Sequence, residues 1–265
     1  MAPPVTDRAQ VLPELTDSAG RFTDLLRSVR DPSRTAIGEW NTGDVAAHTS
    51  HLAELFVDMF RGKPSPVPHH LQMSEHWAKM LAEDSERDAG VLASRIADRA
   101  RELEELATDQ AWETALTWHG GIKIPAYSLP GILINEFELH GLDVAQAERR
   151  DWEVSRHKAT IAIKSLLPVL DRFVNPDVAE SLTANLQVHL RGDGRFYFLL
   201  ADGSLTVEER PPGKIDCRIS ADPTAYLLVG YGRENRWGQI LRGRIVSSGR
   251  KPWLAFRFAR LFYSV

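Results

Sequence analysis

Apolar residues recur at helical spacing through the first half of the chain. The segments with this spacing are residues 9–29, 41–62, 74–107 and 130–145. Asn41 is a suitable N-cap for the second segment, and Asp44 places negative charge in its first turn. Between the last two segments, alternating residues on either side of Gly120 and Gly121 predict a short hairpin or an extended excursion. Four helices joined by loops predict a four-helix bundle.

The pattern changes after about residue 150. Residues 155–174 keep helical spacing, but "LQVHLRGDGRFYFLLADGSLTVEER" and "KIDCRIS" alternate like strands between Gly-rich turns. Asp222 and Pro223 predict the start of a short helix. "QILRGRIVSSG" predicts a further strand, and "PWLAFRFARLFYSV" a closing helix. The fold class is therefore α plus α+β: a four-helix bundle over residues 1–150 and a small α+β domain over residues 151–265.

Composition and charge exclude several classes of protein. The chain has 265 residues, 43% of them hydrophobic and 26% charged, with a net charge of −4, as in globular proteins. No basic run indicates nucleic-acid binding, no apolar run reaches the roughly 18 residues of a membrane span, and the N-terminus predicts no secretion. The single cysteine, Cys217, fits a cytoplasmic location and leaves any metal to His, Asp and Glu ligands.

Two of the predicted helices direct polar side chains towards the bundle interior. Glu136 and His140 are four residues apart, on the face that also carries Leu133 and Phe137. On the second helix, His48 shares the apolar face, whereas His51 lies on the polar face. Burying a carboxylate without a partner costs several kcal/mol, so the inward placement needs an explanation.

Two explanations stay open at this point. His48, Glu136 and His140 are suitable ligands for Zn²⁺, and three protein ligands leave a fourth position for water or substrate. Iron, nickel or manganese accept similar ligands. Alternatively, His48 is a core histidine bonded to Glu136, and His140 lies in the same polar pocket.

Two motifs then give a family resemblance. "WNTGDVAAH", ending at His48, and "EFELHGLDVA", beginning at Glu136, resemble the signatures of the mycothiol-dependent maleylpyruvate isomerase family, part of the DinB-like bundle superfamily. The segment "ISADPTAYLLVGYGRENRWGQILRGRIVSSG" resembles the sterol-carrier-protein-2-like domain fused to that bundle in many actinobacterial members. The resemblance implies that His48, Glu136 and His140 hold zinc or another divalent metal.

The resemblance also implies a reaction and its partners. The expected enzyme holds mycothiol as a zinc-bound thiolate for S-transfer to, or cis–trans isomerisation of, a small electrophile, with no nucleic-acid or membrane partner and as a monomer or homodimer. In the family an arginine of the small domain recognises an anionic substrate, and Arg233, Arg242 and Arg244 are the candidates. Thiol-binding residues are not predicted. The alternative is a non-catalytic ligand-binding or regulatory protein with a structural or vestigial metal site.

Overall fold

A computed structural model of the chain describes residues 7–258 and 260–263. The described chain divides into two compact units, and the division falls between Val154 and Ser155. The first unit is mainly helical and the second combines helices with a sheet. This architecture confirms the predicted fold class, a DinB-like helical bundle followed by an α+β domain.

The first unit consists of helices and two short hairpins. Its elements are α1 (Arg8–Arg27), β1 (Thr35–Ile37), β2 (Trp40–Asn41), α2 (Thr42–Phe60), α3 (Met73–Glu83), α4 (Ala89–Leu106), α5 (Asp109–Trp112), β3 (Ala115–Thr117), β4 (Lys123–Pro125) and α6 (Ser128–Ala147). Helices α4 and α6 each pack against both α1 and α2, and the four helices form the bundle. The predicted hairpin is the β3–β4 pair, with Leu116 opposite Ile124.

The start of α2 follows directly from its sequence. The Asn41 side chain accepts a hydrogen bond from the Asp44 amide at 2.8 Å, and the Asp44 carboxylate accepts one from the Asn41 amide at 3.1 Å. This capping box satisfies two amides that the helix leaves without internal partners. It sets the phase of α2, so that His48 lies on the buried face.

The prediction of one helix over residues 74–107 is wrong. The segment contains α3 and α4, separated by a loop at residues 84–88. Arg87 holds this loop: its Nε donates to Asp44 Oδ1 at 2.7 Å, and its guanidinium also donates to the carbonyls of Leu81, Asp84 and Glu86. Asp88 then caps α4 by accepting from the Val91 amide at 2.9 Å. A partner on α2 therefore stabilises a break that helix propensity does not indicate.

The second unit is built on one five-stranded sheet. Its elements are α7 (Arg156–Leu166), α8 (Pro176–Ala179), β5 (Ala184–Leu190), β6 (Gly194–Ala201), β7 (Ser204–Glu208), β8 (Cys217–Ala221), α9 (Pro223–Gly230), α10 (Arg236–Leu241), β9 (Ile245–Ser248) and α11 (Leu254–Phe258). The strand order is β7-β6-β5-β8-β9, with β5 and β8 parallel and the other neighbours antiparallel. Alternate residues of β5 are buried, as the strand pattern predicts.

Two details of the second unit differ from the sequence prediction. "QIL" lies in α10 rather than in a strand, because Asn235 caps that helix and the strand begins only at Ile245. The closing helix is short, covering Leu254–Phe258, while residues 259, 264 and 265 of the predicted helix lie outside the described residues. In the part of the chain that the structure describes, no helix combines the length and the apolarity that a membrane crossing requires.

Candidate metal centre

His48, Glu136 and His140 meet inside the helical unit. Glu136 Oε2 lies 3.5 Å from His48 Nε2 and 3.3 Å from His140 Nε2. One ligand atom from each of the three residues lies within 4.8 Å of the other two. Helix α2 supplies one of these side chains and helix α6 supplies two, as the periodicity predicts.

These separations suit a shared cation better than a hydrogen-bonded triad. Metal–ligand bonds of roughly 2.0–2.2 Å in a tetrahedral site place neighbouring ligand atoms about 3.3–3.6 Å apart. A good hydrogen bond between nitrogen and oxygen is shorter, roughly 2.7–3.2 Å. The two measured distances to Glu136 Oε2 fall within the first range and outside the second. The donor set of two imidazoles and one carboxylate therefore fits a divalent metal ion.

The electrostatics of the cluster favour a bound cation. Burial alone would raise the pKa of the Glu136 carboxyl, but the two imidazoles that face it hold that pKa well below its usual range. Burial lowers the pKa of His48, against the opposing effect of Glu136, so this ring is neutral at pH 7. Burial also opposes protonation of His140, yet Asp143 and Glu136 raise its pKa to about 9. Without a metal, one proton on His140 offsets only part of the negative charge of Glu136 and Asp143.

Two tryptophans line the cluster. The Trp40 ring lies 4.9 Å from the His48 ring and 6.4 Å from the His140 ring, measured between centroids. Trp77 on α3 is buried and meets the His48 ring edge-on at 4.9 Å. Both rings restrict the orientation of His48 and give the cluster an apolar wall. Trp40 belongs to the sequence motif, whereas nothing in the pattern of α3 indicates that Trp77 reaches His48.

Asp143 orients His140. Its Oδ2 lies 3.1 Å from His140 Nδ1, so the ring donates through Nδ1 and keeps Nε2 towards Glu136. Carboxylates commonly fix the tautomer of a ligand histidine in this way. The spacing of three residues on one helix makes this contact local.

Gly141 is required by a close approach. A Cβ built on Gly141 would lie 2.2 Å from Cζ2 of Trp152, so the indole occupies the space of a side chain. The Arg21 guanidinium lies 4.3 Å from the Trp152 ring centroid. The glycine between His140 and Leu142 therefore lets the segment after α6 pack directly on the helix.

Sequence reasoning missed a second buried carboxylate on α6, Glu138. Ser18 Oγ donates to Glu138 Oε1 at 2.8 Å, and Arg21 Nη1 lies 3.2 Å from the same atom. The side chain of Glu138 is 1% exposed. Its partners lie on α1, more than a hundred residues away, so no local pattern indicates the contact.

The remaining histidines have ordinary surroundings. His51 is half-buried and its Nε2 lies 3.2 Å from Asp84 Oδ2, away from the three clustered ligands. His119 is buried, with Nδ1 2.7 Å from Ser65 Oγ and its ring stacked on Trp118 at 4.3 Å. Burial lowers the pKa of His119 to about 3, and His76 and His70 add to the effect.

The three candidate arginines lie in the second unit. Arg244 Nη2 donates to Asp222 Oδ1 at 2.8 Å, and Arg233 Nη1 donates to the Tyr231 carbonyl at 2.9 Å. Arg242 is exposed at the end of α10. A role in substrate recognition stays a prediction for each of them. Cys217 is fully buried and its pKa is raised by burial, as expected for an inert thiol.

Comparison with known families identifies both units. Residues 13–145 match the family described as "Mycothiol maleylpyruvate isomerase N-terminal domain". Residues 164–251 match the SCP-2 sterol transfer family. A search of curated proteins finds no significant match.

Solved structures agree on the fold. The chain is similar to the crystal structure of the mycothiol-dependent maleylpyruvate isomerase, with a TM-score of 0.56 and 12% identity over 92% of this chain and 93% of that one. A histidine-to-alanine mutant of that isomerase gives a TM-score of 0.57 and 13% identity over the same shares of the two chains. The matched order of domains and the common fold lead to one conclusion: the chain belongs to the mycothiol maleylpyruvate isomerase family, with an SCP-2 domain after the family's N-terminal domain.

Proposed function

We propose that the protein is a metal-dependent enzyme that activates mycothiol as its thiolate and transfers the sulfur to, or isomerises, a small electrophilic substrate. One observation carries the proposal: the Nε2 atoms of His48 and His140 converge on Glu136 Oε2 at 3.5 and 3.3 Å inside the helical unit. The resident metal is zinc or another divalent ion. Membership of the family supplies the thiol and the precedent for isomerisation.

The charge of the three ligands suits a thiolate. A divalent cation held here provides the positive charge that lowers the pKa of a thiol from its free value of about 8.5. Two neutral imidazoles and one carboxylate leave one net positive charge, which a single thiolate neutralises. Asp143 holds the Nδ1 proton of His140, so the proton that a metal displaces is the one on Nε2. The Nε2 lone pair is then available as a ligand at neutral pH.

The residues around the ligands restrict water and leave one side accessible. Trp40 and Trp77 cover His48 from two directions, whereas the Glu136 side chain is 20% exposed. We infer that the thiol and the electrophile enter beside Glu136. A low-polarity wall strengthens the attraction between the site and an anion, because fewer water dipoles screen it.

The chemistry of a thiolate accounts for both reaction types. Its sulfur adds to the electron-poor carbon of a conjugated alkene: a C–S bond forms, the C=C π bond breaks, and the π electron pair moves into the conjugated acceptor group. The remaining C–C single bond is free to rotate. Breaking the same C–S bond returns the electron pair to sulfur and gives the isomerised alkene. If a leaving group departs instead with its electron pair, the sulfur stays on the product and the reaction is S-transfer.

The first experiment measures metal content in untagged, full-length protein purified without added metal. Elemental analysis is expected to find close to one divalent ion per chain in the wild type and in His51→Ala. His48→Ala and Glu136→Gln are expected to lose it. His51 is the matched control because it lies on the same helix but outside the three-ligand cluster.

Activity then separates the proposal from its alternative. The metal-loaded protein is incubated with mycothiol and either a cis-alkene dicarboxylate or an alkylating electrophile, and loss of either reactant is followed by chromatography. Turnover that requires both metal and thiol supports the enzyme. A wild type that holds no metal even after zinc addition would favour the non-catalytic ligand-binding protein.

A further inference from the structure

Exposed apolar side chains are concentrated in one stretch of the second unit. The exposed large hydrophobic residues in the described part of the chain are Leu71, Val91, Tyr231, Trp237, Leu241, Val246, Trp253 and Phe256. Six of these eight lie within residues 231–256. Leu241 is the most exposed, at 88%. Scattered exposed residues need no explanation, but a concentration of this kind indicates a contact surface.

Three of these side chains belong to two neighbouring helices, and a fourth, Trp253, lies in the turn directly before α11. Trp237 on α10 and Phe256 on α11 are in contact, with ring centroids 5.4 Å apart. Leu241 follows Trp237 by four residues, and Trp253 precedes Phe256 by three, so each pair lies along one side of its helical segment. We call Trp237, Leu241, Trp253 and Phe256 the aromatic face.

Positive charge surrounds the aromatic face. Residues 233–260 contain eight arginines or lysines and one glutamate, while the rest of the chain has 24 basic and 35 acidic residues. The Arg236 guanidinium lies 5.4 Å from the Trp237 ring centroid. Arg242 and Arg257 directly follow Leu241 and Phe256, and both are exposed. We call Arg236, Arg242 and Arg257 the basic rim.

The chemistry of this surface distinguishes between possible occupants. A nucleic acid would stack its bases on the tryptophans and pair its phosphates with the arginines, but Leu241 offers nothing to a base. A lipid surface can bind every side chain of the aromatic face and the basic rim. Aromatic rings lie at the depth of the headgroups, aliphatic side chains lie below them, and arginines pair with phosphates.

We propose that the aromatic face and the basic rim bind the surface of a lipid bilayer that contains anionic headgroups. The contact is peripheral, which is compatible with the absence of a membrane-spanning helix among the described residues. Tryptophan, leucine and phenylalanine side chains enter the boundary between headgroups and acyl chains. The guanidinium groups lie at the level of the phosphates, where the negative surface potential attracts them.

Vesicle flotation tests the proposal with the full-length, metal-loaded protein. The probes are vesicles of phosphatidylcholine alone and of phosphatidylcholine mixed with phosphatidylglycerol. The wild type is expected to float with the anionic vesicles and to be released by salt. Double substitution of Trp237→Ser with Leu241→Ser is expected to weaken binding about tenfold or more. Val91→Ser, which removes an exposed apolar side chain from α4, is the matched control and is expected to bind like the wild type.

A second variant changes only exposed charges, so that a folding defect is not mistaken for a loss of binding. Arg236→Gln with Arg257→Gln leaves every apolar side chain in place and is expected to reduce both the binding and its dependence on salt. Thermal unfolding followed by circular dichroism serves as the check that the second unit is intact in each variant. Equal flotation with neutral vesicles, no flotation of the wild type, or unchanged binding by both double variants would overturn the proposal. Tight binding to duplex DNA that the Trp237→Ser change abolishes would also overturn it.

Discussion

Helix α6 carries two carboxylates inside the helical unit, the partly exposed Glu136 and the fully buried Glu138, and their surroundings differ in one respect. Glu138 is neutralised by the permanent charge of Arg21 and accepts a further hydrogen bond from Ser18. Glu136 faces only imidazoles, which lose their protons in the physiological pH range unless a carboxylate prevents it. The charge of Glu138 is compensated by the fold itself, whereas that of Glu136 is compensated by groups that can equally bind a cation.

The difference separates a structural acid from a candidate metal ligand. A buried carboxylate with a guanidinium partner gains nothing from a metal, because its charge and its lone pairs are already satisfied. A carboxylate between two histidines has lone pairs directed at the same point as theirs. The partners of a buried acid, rather than its burial, therefore indicate its role in this protein.

The largest expected effect is the loss of stability when Glu138 loses its partner Arg21. Arg21→Ala leaves Glu138 buried without its cation, and we expect the free energy of unfolding of the helical unit to fall by about 3–5 kcal/mol. Urea unfolding followed by tryptophan fluorescence measures it, since five of the seven tryptophans lie in this unit. Adding Glu138→Gln should recover part of the loss. The metal content of the folded variant should match that of the wild type. Loss of metal without loss of stability would contradict the different roles assigned to Glu138 and Glu136.

A substitution of Asp143 tests the candidate metal centre, because Asp143 contacts His140. Asp143→Asn keeps the shape of the side chain but weakens its hold on the Nδ1 proton of His140, and we expect metal affinity to fall about 10–100-fold. Titration of the metal against a chelator of known affinity measures the change. Asp58→Asn on α2 is the control, because that carboxylate accepts from Lys63 instead. Equal losses in the two variants would contradict a role in orienting His140.

His119 shows what burial does to a histidine that no carboxylate supports. The folded protein holds the pKa of His119 at about 3, against 6.5 for the free side chain, so the unfolded chain binds a proton between these values and the folded chain does not. Protonation of His119 therefore does not reduce the free energy of unfolding above pH 6.5, but it reduces that free energy as the pH falls towards 3. At pH 5 the loss is about 2 kcal/mol.

The variant His119→Gln should remove this pH-dependent loss. Between pH 7 and pH 5, the wild type should therefore lose about 2 kcal/mol more unfolding free energy than the variant. His69→Gln on an exposed histidine should leave the wild-type dependence unchanged. Identical pH profiles for the wild type and His119→Gln would show that burial of this ring does not exclude its proton.

The smallest effect concerns Gly141, whose missing side chain lets Trp152 pack directly on α6. Gly141→Ala forces the indole away from α6 and from Arg21, and the overpacking costs about 1–3 kcal/mol. The gain in helix propensity, up to about 1 kcal/mol, offsets part of it. Gly20→Ala on α1, where a Cβ meets nothing within 4 Å, should instead stabilise the protein in urea unfolding. A stabilised Gly141→Ala would mean that Trp152 is not held against the helix.

The local parts of the fold and of the candidate site are predictable from the sequence. The capping box at Asn41 and Asp44 sets the phase of α2, and helical geometry then places His48 on the buried face. Glu136, His140 and Asp143 lie on one side of α6 for the same reason, since residues three and four apart are neighbours on any helix. These relations depend on the backbone alone and hold wherever the helix forms.

Only the tertiary structure shows the relations between distant residues. The break at residues 84–88 depends on Arg87 reaching Asp44, the wall over His48 depends on Trp77, and Glu138 depends on Arg21. By itself the sequence determined most of the helices and strands and the inward placement of His48, Glu136 and His140, because periodicity and capping act within a few residues. Which partner each buried charge meets was decided by packing between helices, since that choice depends on side chains far apart in the chain.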